Sequence, residues 1–190
     1  MARRIQPKRL LYLIVGALIL VGGIIFIPKL FTDTSNTSSS NTSSSTSDTK
    51  PARASVDLNK EFEFPVSTTD KTKKVKMVIQ KAQLLDEIVV KGQKATAVAG
   101  RTFLILDIKI VNDMDNALNM NTRDYVRLSV NKNDAELLAP DIHNDPVEIQ
   151  AISTKYTRLG FPVNVSDHNF VLQVGEIKAA KQKIELPFNN

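Results

Sequence analysis

The sequence predicts an all-β domain, an antiparallel β-sandwich, carried behind one transmembrane α-helix and a disordered linker. Three observations carry this. Period-two alternation of apolar and polar residues recurs from about residue 55 onward, punctuated by clusters of Asn, Asp, Ser and Gly. An uncharged apolar run fills residues 10–27. Between the two lies a tract made almost wholly of Ser and Thr.

Residues 1–9 (MARRIQPKR) are polar and basic, with Arg3, Arg4, Lys8 and Arg9. They are predicted to form a cytoplasmic tail, because an excess of Lys and Arg stays on the cytoplasmic side of a membrane span. Residues 10–28 read LLYLIVGALILVGGIIFIP. The 18 residues from Leu10 to Ile27, at a rise of ~1.5 Å each, reach ~27 Å, close to the hydrocarbon thickness of a bilayer. Only a helix satisfies its own backbone in lipid, and the segment has no polar face to suit a buried core helix. A cleaved signal peptide fits less well. Its apolar region would be shorter and would end in small residues, whereas this run ends Ile25-Phe26-Ile27-Pro28-Lys29.

Residues 29–55 are predicted to be a flexible linker. Ser and Thr fill 14 of the 18 positions from 32 to 49, and no apolar residue interrupts them. Such a chain cannot bury enough surface to offset the entropy of ordering it. Asn36-Thr37-Ser38, Asn41-Thr42-Ser43 and Asn164-Val165-Ser166 match the N-glycosylation acceptor pattern. In a Ser/Thr/Asn tract that pattern arises readily by chance, so the first two read as unmodified linker.

Residues 56–190 are predicted to hold the extracytoplasmic sandwich of seven or eight strands. Phe62 and Phe64 alternate with Glu61 and Glu63, and Val75, Met77 and Ile79 with Lys74, Lys76 and Gln80. The clearest strand is Thr102–Val111, where Leu104, Leu106, Ile108 and Ile110 make one apolar face. Val126-Leu128-Val130, Leu159-Phe161-Val163, Phe170-Leu172-Val174 and Ile184-Leu186 follow. Ala139–Ser153 lacks clean alternation and is expected to be a long loop with one helical turn near Val147–Ile152.

The segment Gly100-Arg101-Thr102-Phe103 through Val111-Asn112 resembles a recurring strand, G-x-x-F followed by alternating hydrophobic residues and a closing Asn. That strand marks the telokin-like, or immunoprotective extracellular, domains of bacterial and archaeal surface proteins. The resemblance implies an immunoglobulin-like β-sandwich behind an N-terminal anchor and a low-complexity linker. It supplies no catalytic residues. The last strand, Lys183-Ile184-Glu185-Leu186-Pro187 after Val174-Gly175-Glu176, matches the family pattern loosely.

Composition excludes several chemistries. The chain has no cysteine, which removes disulfides, thiol nucleophiles, Cys-based metal sites and a lipid-anchor cysteine. Its net charge of +5 is a property of the N-terminal end, since residues 51–190 hold 19 basic and 18 acidic side chains. A nucleic-acid binder needs a basic excess on the folded domain, so no nucleic-acid partner is expected.

Asp113, Asp115, Asn116 and Asn119 crowd one turn and are the calcium candidates, as oxygen-rich loops bind that ion. An EF-hand starting at Asp113 fails, with Leu118 at its sixth position and Asp124 at its twelfth. A hairpin turn that exploits the backbone tolerance of Asn and Asp explains the same residues. Asp141, His143, Asn144 and Asp145 form a second polar cluster, and His168 stands beside Asp167. No nucleophile elbow, zinc-protease or phosphate-loop motif occurs, so no cofactor and no enzymatic activity are expected.

The function expected is that of a single-pass membrane-anchored surface protein. Residues 10–28 meet the membrane, and the domain binds a protein or a glycan at the cell envelope. The alternatives are an accessory ligand- or metal-sensing domain of a membrane complex, a pilin-like subunit and a secreted enzyme.

Overall fold

A computed structural model describes residues 50–66 and 72–188. The expected tail 1–9, the span 10–28 and the Ser/Thr tract lie outside the described residues. Among those described, no helix is long and apolar enough to cross a membrane. The strands are β1 (Ala54–Pro65), β2 (Lys74–Leu85), β3 (Glu87–Val90), β4 (Gln93–Thr96), β5 (Arg101–Asn112) and β6 (Leu118–Met120). After a 3-10 turn at Thr122–Asp124 come β7 (Val126–Val130), β8 (Asn133–Leu138), β9 (Val147–Ile149), β10 (Ser153–Asn164), β11 (Val171–Val174) and β12 (Gln182–Glu185).

Two four-stranded sheets form the domain, ordered β1-β2-β5-β10 and β12-β11-β7-β8. Every strand pairing is antiparallel. The inward faces of both sheets feed one hydrophobic core that runs from Phe62, Met77 and Leu106 to Leu128, Leu172 and Val174. This is a β-sandwich, as the alternation predicts. The β3-β4 hairpin and the β6-β9 pair are smaller additions at opposite ends.

β5 carries the core. Its even-numbered residues from Thr102 to Asn112 are all buried, and it pairs with β2 on one side and β10 on the other. β2 cannot match it with strict alternation. Val75, Met77 and Ile79 face inward, then Ala82 and Leu84 do. The register shift between Ile79 and Lys81 absorbs the change of phase, so an extra residue keeps both halves of β2 facing the core. Facing outward, Asp57, Lys81, Asp107 and Arg158 lie opposite one another in register across the four strands. Alternating charges on cross-strand neighbours favour this register.

Asn112, the closing Asn of the β5 signature, is fully buried. Its amide donates to the carbonyls of Asn116 and Gln150, each at 2.9 Å, and its Oδ1 accepts the Met114 N–H at 3.1 Å. The residue therefore ties the turn after β5 to the turn after β9. Gly160 on β10 has an equally specific reason. A Cβ there would stand 2.5 Å from Ile105 Cδ1 and 3.0 Å from Ile142. The missing side chain lets Ile105 be buried on the outer face, and lets Ile142 bridge the open edge of β10 at Gly160.

Glu87 is nearly buried between two lysines, with Lys94 Nζ at 2.6 Å and Lys50 Nζ at 3.5 Å. The hydrogen bond from Lys94 holds its carboxyl below the usual range, against the opposing effect of burial. Arg53 adds an ion pair to Asp86 and a backbone bond to Leu84. Lys50 and Arg53, ahead of the boundary expected at residue 56, are thus fastened to the β2-β3 corner.

The expected helical turn near Val147–Ile152 is replaced by β9. Val147 and Ile149 point into the core on either side of exposed Glu148 and pair with β6. β8 and the β3-β4 hairpin had no alternation to betray them, since β8 is largely exposed and the hairpin strands are short.

Gly160→Ala is expected to destabilise the domain by about 1–3 kcal/mol through overpacking. Ile105→Val removes the Cδ1 nearest the new methyl. In urea denaturation, the double variant should be more stable than the sum of the two single effects by about 1 kcal/mol. Simple additivity would contradict the crowding described.

Candidate functional site

The sandwich has two unlike ends. β1 runs ~36 Å from Ala54 to Pro65, taking ~3.3 Å per residue. At the Ala54 end lie Leu84, Thr102, Asn164 and Phe170, and the ring of Phe188 meets Phe170 edge-on. The described chain therefore enters and leaves at the same end. The opposite end holds an open cleft of about 720 Å³.

Tyr125 lines that cleft. It follows the 3-10 turn, its N–H bonds to Thr122, and its carbonyl accepts the Gly175 N–H at 2.9 Å. Its ring packs on Phe64 with centroids 4.3 Å apart. One wall is β6, with Leu118, Asn119 and Met120. The other comes from Pro65 and Val66 and from the turn bearing Glu176, Ile177 and Lys178. That turn is held shut by Lys181, whose ammonium donates to the Glu176 carbonyl at 2.7 Å. Gly175 permits the closure, as a Cβ there would sit 3.0 Å from the Ala180 carbonyl. Ile177 is left 61% exposed and Val66 38% exposed at the rim.

The cleft is amphipathic. Burial, and then the carboxylates of Glu176 and Asp124, push the Tyr125 hydroxyl above its ordinary value. It is therefore a protonated donor at physiological pH. A second concavity of about 410 Å³ adjoins the first, sharing Pro65 and Glu176 and lined further by Phe62, Val174 and Ala179.

The calcium candidates have different partners. Asp113 lies 3.7 Å from Lys76. Asp115 is exposed. Asn116 donates its side-chain amide to the Ala117 carbonyl. Asn119 sits on β6 and lines the cleft. Among the described residues, no three His, Cys, Asp or Glu side chains are grouped to hold a metal ion.

The second polar cluster is a clamp. Asp145 Oδ1 accepts from the Thr122 N–H at 2.8 Å and from its hydroxyl at 2.7 Å, and Oδ2 accepts the Arg123 N–H at 2.8 Å. These bonds fix the turn that leads into Tyr125. His143 lies 3.3 Å from Arg123, whereas His168 lies beside Ser166 and Asn131, so the two histidines have separate surroundings. Asp167 accepts from the Asn164 N–H and the Asn131 amide. Burial raises its carboxyl, and these hydrogen bonds outweigh that and leave it below the usual range. Asn164 of the third glycosylation triplet is exposed, at the end where the chain enters.

The cleft residues Tyr125, Glu176 and Ile177 were not predicted as a site. Their one signal is an isolated Ile in the polar turn Glu176–Lys178.

No family model matches the chain, and no curated protein does. Two solved structures resemble it. A conserved hypothetical protein from Bacillus anthracis aligns at 14% identity and a TM-score of 0.51, over 71% of this chain and 99% of that one. An uncharacterized β-sandwich protein from Clostridium difficile 630 aligns at 16% identity and a TM-score of 0.48, over 68% and 91% respectively. The first likeness agrees with the fold and says nothing of a ligand.

Asp145→Ala is expected to cost about 3 kcal/mol, because it leaves three donors without their charged acceptor. Chemical denaturation measures this, and a loss under about 0.5 kcal/mol, the size of a neutral surface change, would contradict a clamping role.

Proposed function

We propose that this chain is a single-pass membrane-anchored surface protein whose extracytoplasmic β-sandwich is a binding module, with the cleft at Tyr125 as its contact site. The observation that carries the reading is the polarity of the domain. The chain enters at Ala54, and the cleft lies at the far end of the same strand. A domain tethered through residues 10–28 and the Ser/Thr linker would hold its entry end near the membrane and offer the cleft to partners further out. The apolar run of residues 10–27 and its basic flank support the anchor and its orientation.

The telokin-like, immunoglobulin-like relationship belongs to the same proposal. Its signature strand, Gly100–Asn112, is the strand around which the first sheet is built, and its terminal Asn is the buried clamp. The strand order departs from the constant-type immunoglobulin arrangement, in which the third strand lies in the second sheet. Here β2 and β5, joined through a small hairpin, lie side by side. The relationship proposed is thus one of architecture and layout.

The absence of cysteine makes a direct test available. Single variants Ala2→Cys and Ser166→Cys, expressed in cells, are treated with a membrane-impermeant maleimide. The expected result is labelling of Ser166→Cys in intact cells and of Ala2→Cys only after permeabilisation. The reverse pattern, or recovery in the soluble fraction, would contradict the anchor. In a parallel capture assay with envelope components, Ile177→Asp should abolish retention without lowering the melting temperature.

A further inference from the structure

We propose that the cleft receives a basic segment of a partner protein, with a lysine or arginine side chain beside Tyr125 and a neighbouring apolar side chain on Ile177. This rests on the reading of the cleft as the contact site and adds the chemistry of what enters it.

The cavity is shaped for more than one side chain. The two adjoining concavities, about 720 Å³ and 410 Å³, share Pro65 and Glu176. Glu176 is thus a ledge between them, and an extended segment lying across both would pass directly over its carboxylate. In the second concavity Glu63 and Lys74 neutralise each other at 3.0 Å. In the first, the ionisable carboxylates and amines are Asp124, Glu176 and Lys178, a net charge of −1. Both carboxylates line the cleft with Tyr125 and act on its phenol.

A cation entering there gains three favourable contacts. It meets two carboxylates, and it approaches the ring of Tyr125, whose face attracts a cation. The protonated hydroxyl can donate to a backbone carbonyl of the same segment. The rim supplies the apolar half, since Ile177 and Val66 are exposed beside these charges. Anionic partners are disfavoured: a phosphate, an acidic peptide or an anionic lipid surface would set negative charge against Asp124 and Glu176 at close range. A neutral glycan would use the carboxylates as acceptors and gain nothing from their charge. A basic segment uses both carboxylates, the Tyr125 ring and the exposed Ile177.

The test uses the full chain in detergent micelles and fluorescence anisotropy with labelled short peptides that alternate valine with lysine, arginine or glutamate. The lysine and arginine peptides are expected to bind, and the glutamate peptide is not. The double variant Asp124→Asn/Glu176→Gln should lose about tenfold or more in affinity, as expected when charge complementarity is removed. Raising salt from about 0.05 M to 0.5 M should weaken the wild type and leave the double variant little changed. Equal binding of the lysine and glutamate peptides, unchanged affinity in the double variant, or no binding of any peptide would overturn the proposal. Saturation by n-butylammonium chloride at the same concentrations as the peptides would assign the site to a small amine and would also overturn it. If the basic peptides fail while Ile177→Asp still abolishes envelope capture, the contact-site reading stands and the basic segment alone is lost.

Discussion

The unbroken alternation of β5 is the constraint to which the rest of the domain is fitted. Leu104, Leu106, Ile108 and Ile110 are almost wholly excluded from solvent. Each contributes roughly 1.5–3 kcal/mol through burial. They can do so only while β5 is paired on both sides, because an unpaired backbone beside the core would leave its polar groups without partners. β10 meets β5 over its whole length without a break in register. β2 meets it only by inserting a residue near Gln80, and β1 then shifts register between Asp57 and Lys60, where Asn59 takes a positive φ. The irregularities of the outer strands are adjustments to the regularity of the central one.

That arrangement also determines where a site can form. Along the strands, neighbouring side chains fill the space between the sheets. At the ends the backbones turn and the sheets part, so concavities are lined by turns and strand termini. At one end Arg53 and Phe170 line a smaller concavity of about 300 Å³, and Phe188 meets Phe170 edge-on. At the other, Tyr125, with an apolar body and a polar tip, packs its ring on Phe64 and lines the cleft. Asp145, in the loop before β9, and Asn112, the last residue of β5, hold the turns that lead into Tyr125 and β6.

The long strands were legible because burial on one face writes a period of two into the sequence. β1, β2, β5, β7, β10 and β11 were read from that period alone. β8 escaped because an exposed edge strand buries no face, and β9 because three residues are too few to show a period. The polar clusters take their roles from the fold. Asp145 was marked for its chemistry, but its carboxylate is spent on backbone amides. The cleft was hidden because Phe64, Tyr125 and Glu176 are far apart in sequence and are joined only by the crossing of the two sheets. No spacing rule brings them together.

Native-state hydrogen exchange of the folded domain tests the central role of β5 most directly. Its amides from Leu104 to Ile110 should be the slowest to exchange and should open only with global unfolding, while those of β8 and the β3-β4 hairpin exchange through local opening. If β5 exchanged as fast as those peripheral strands, it would not be the element on which the sandwich, and the cleft at its end, depend.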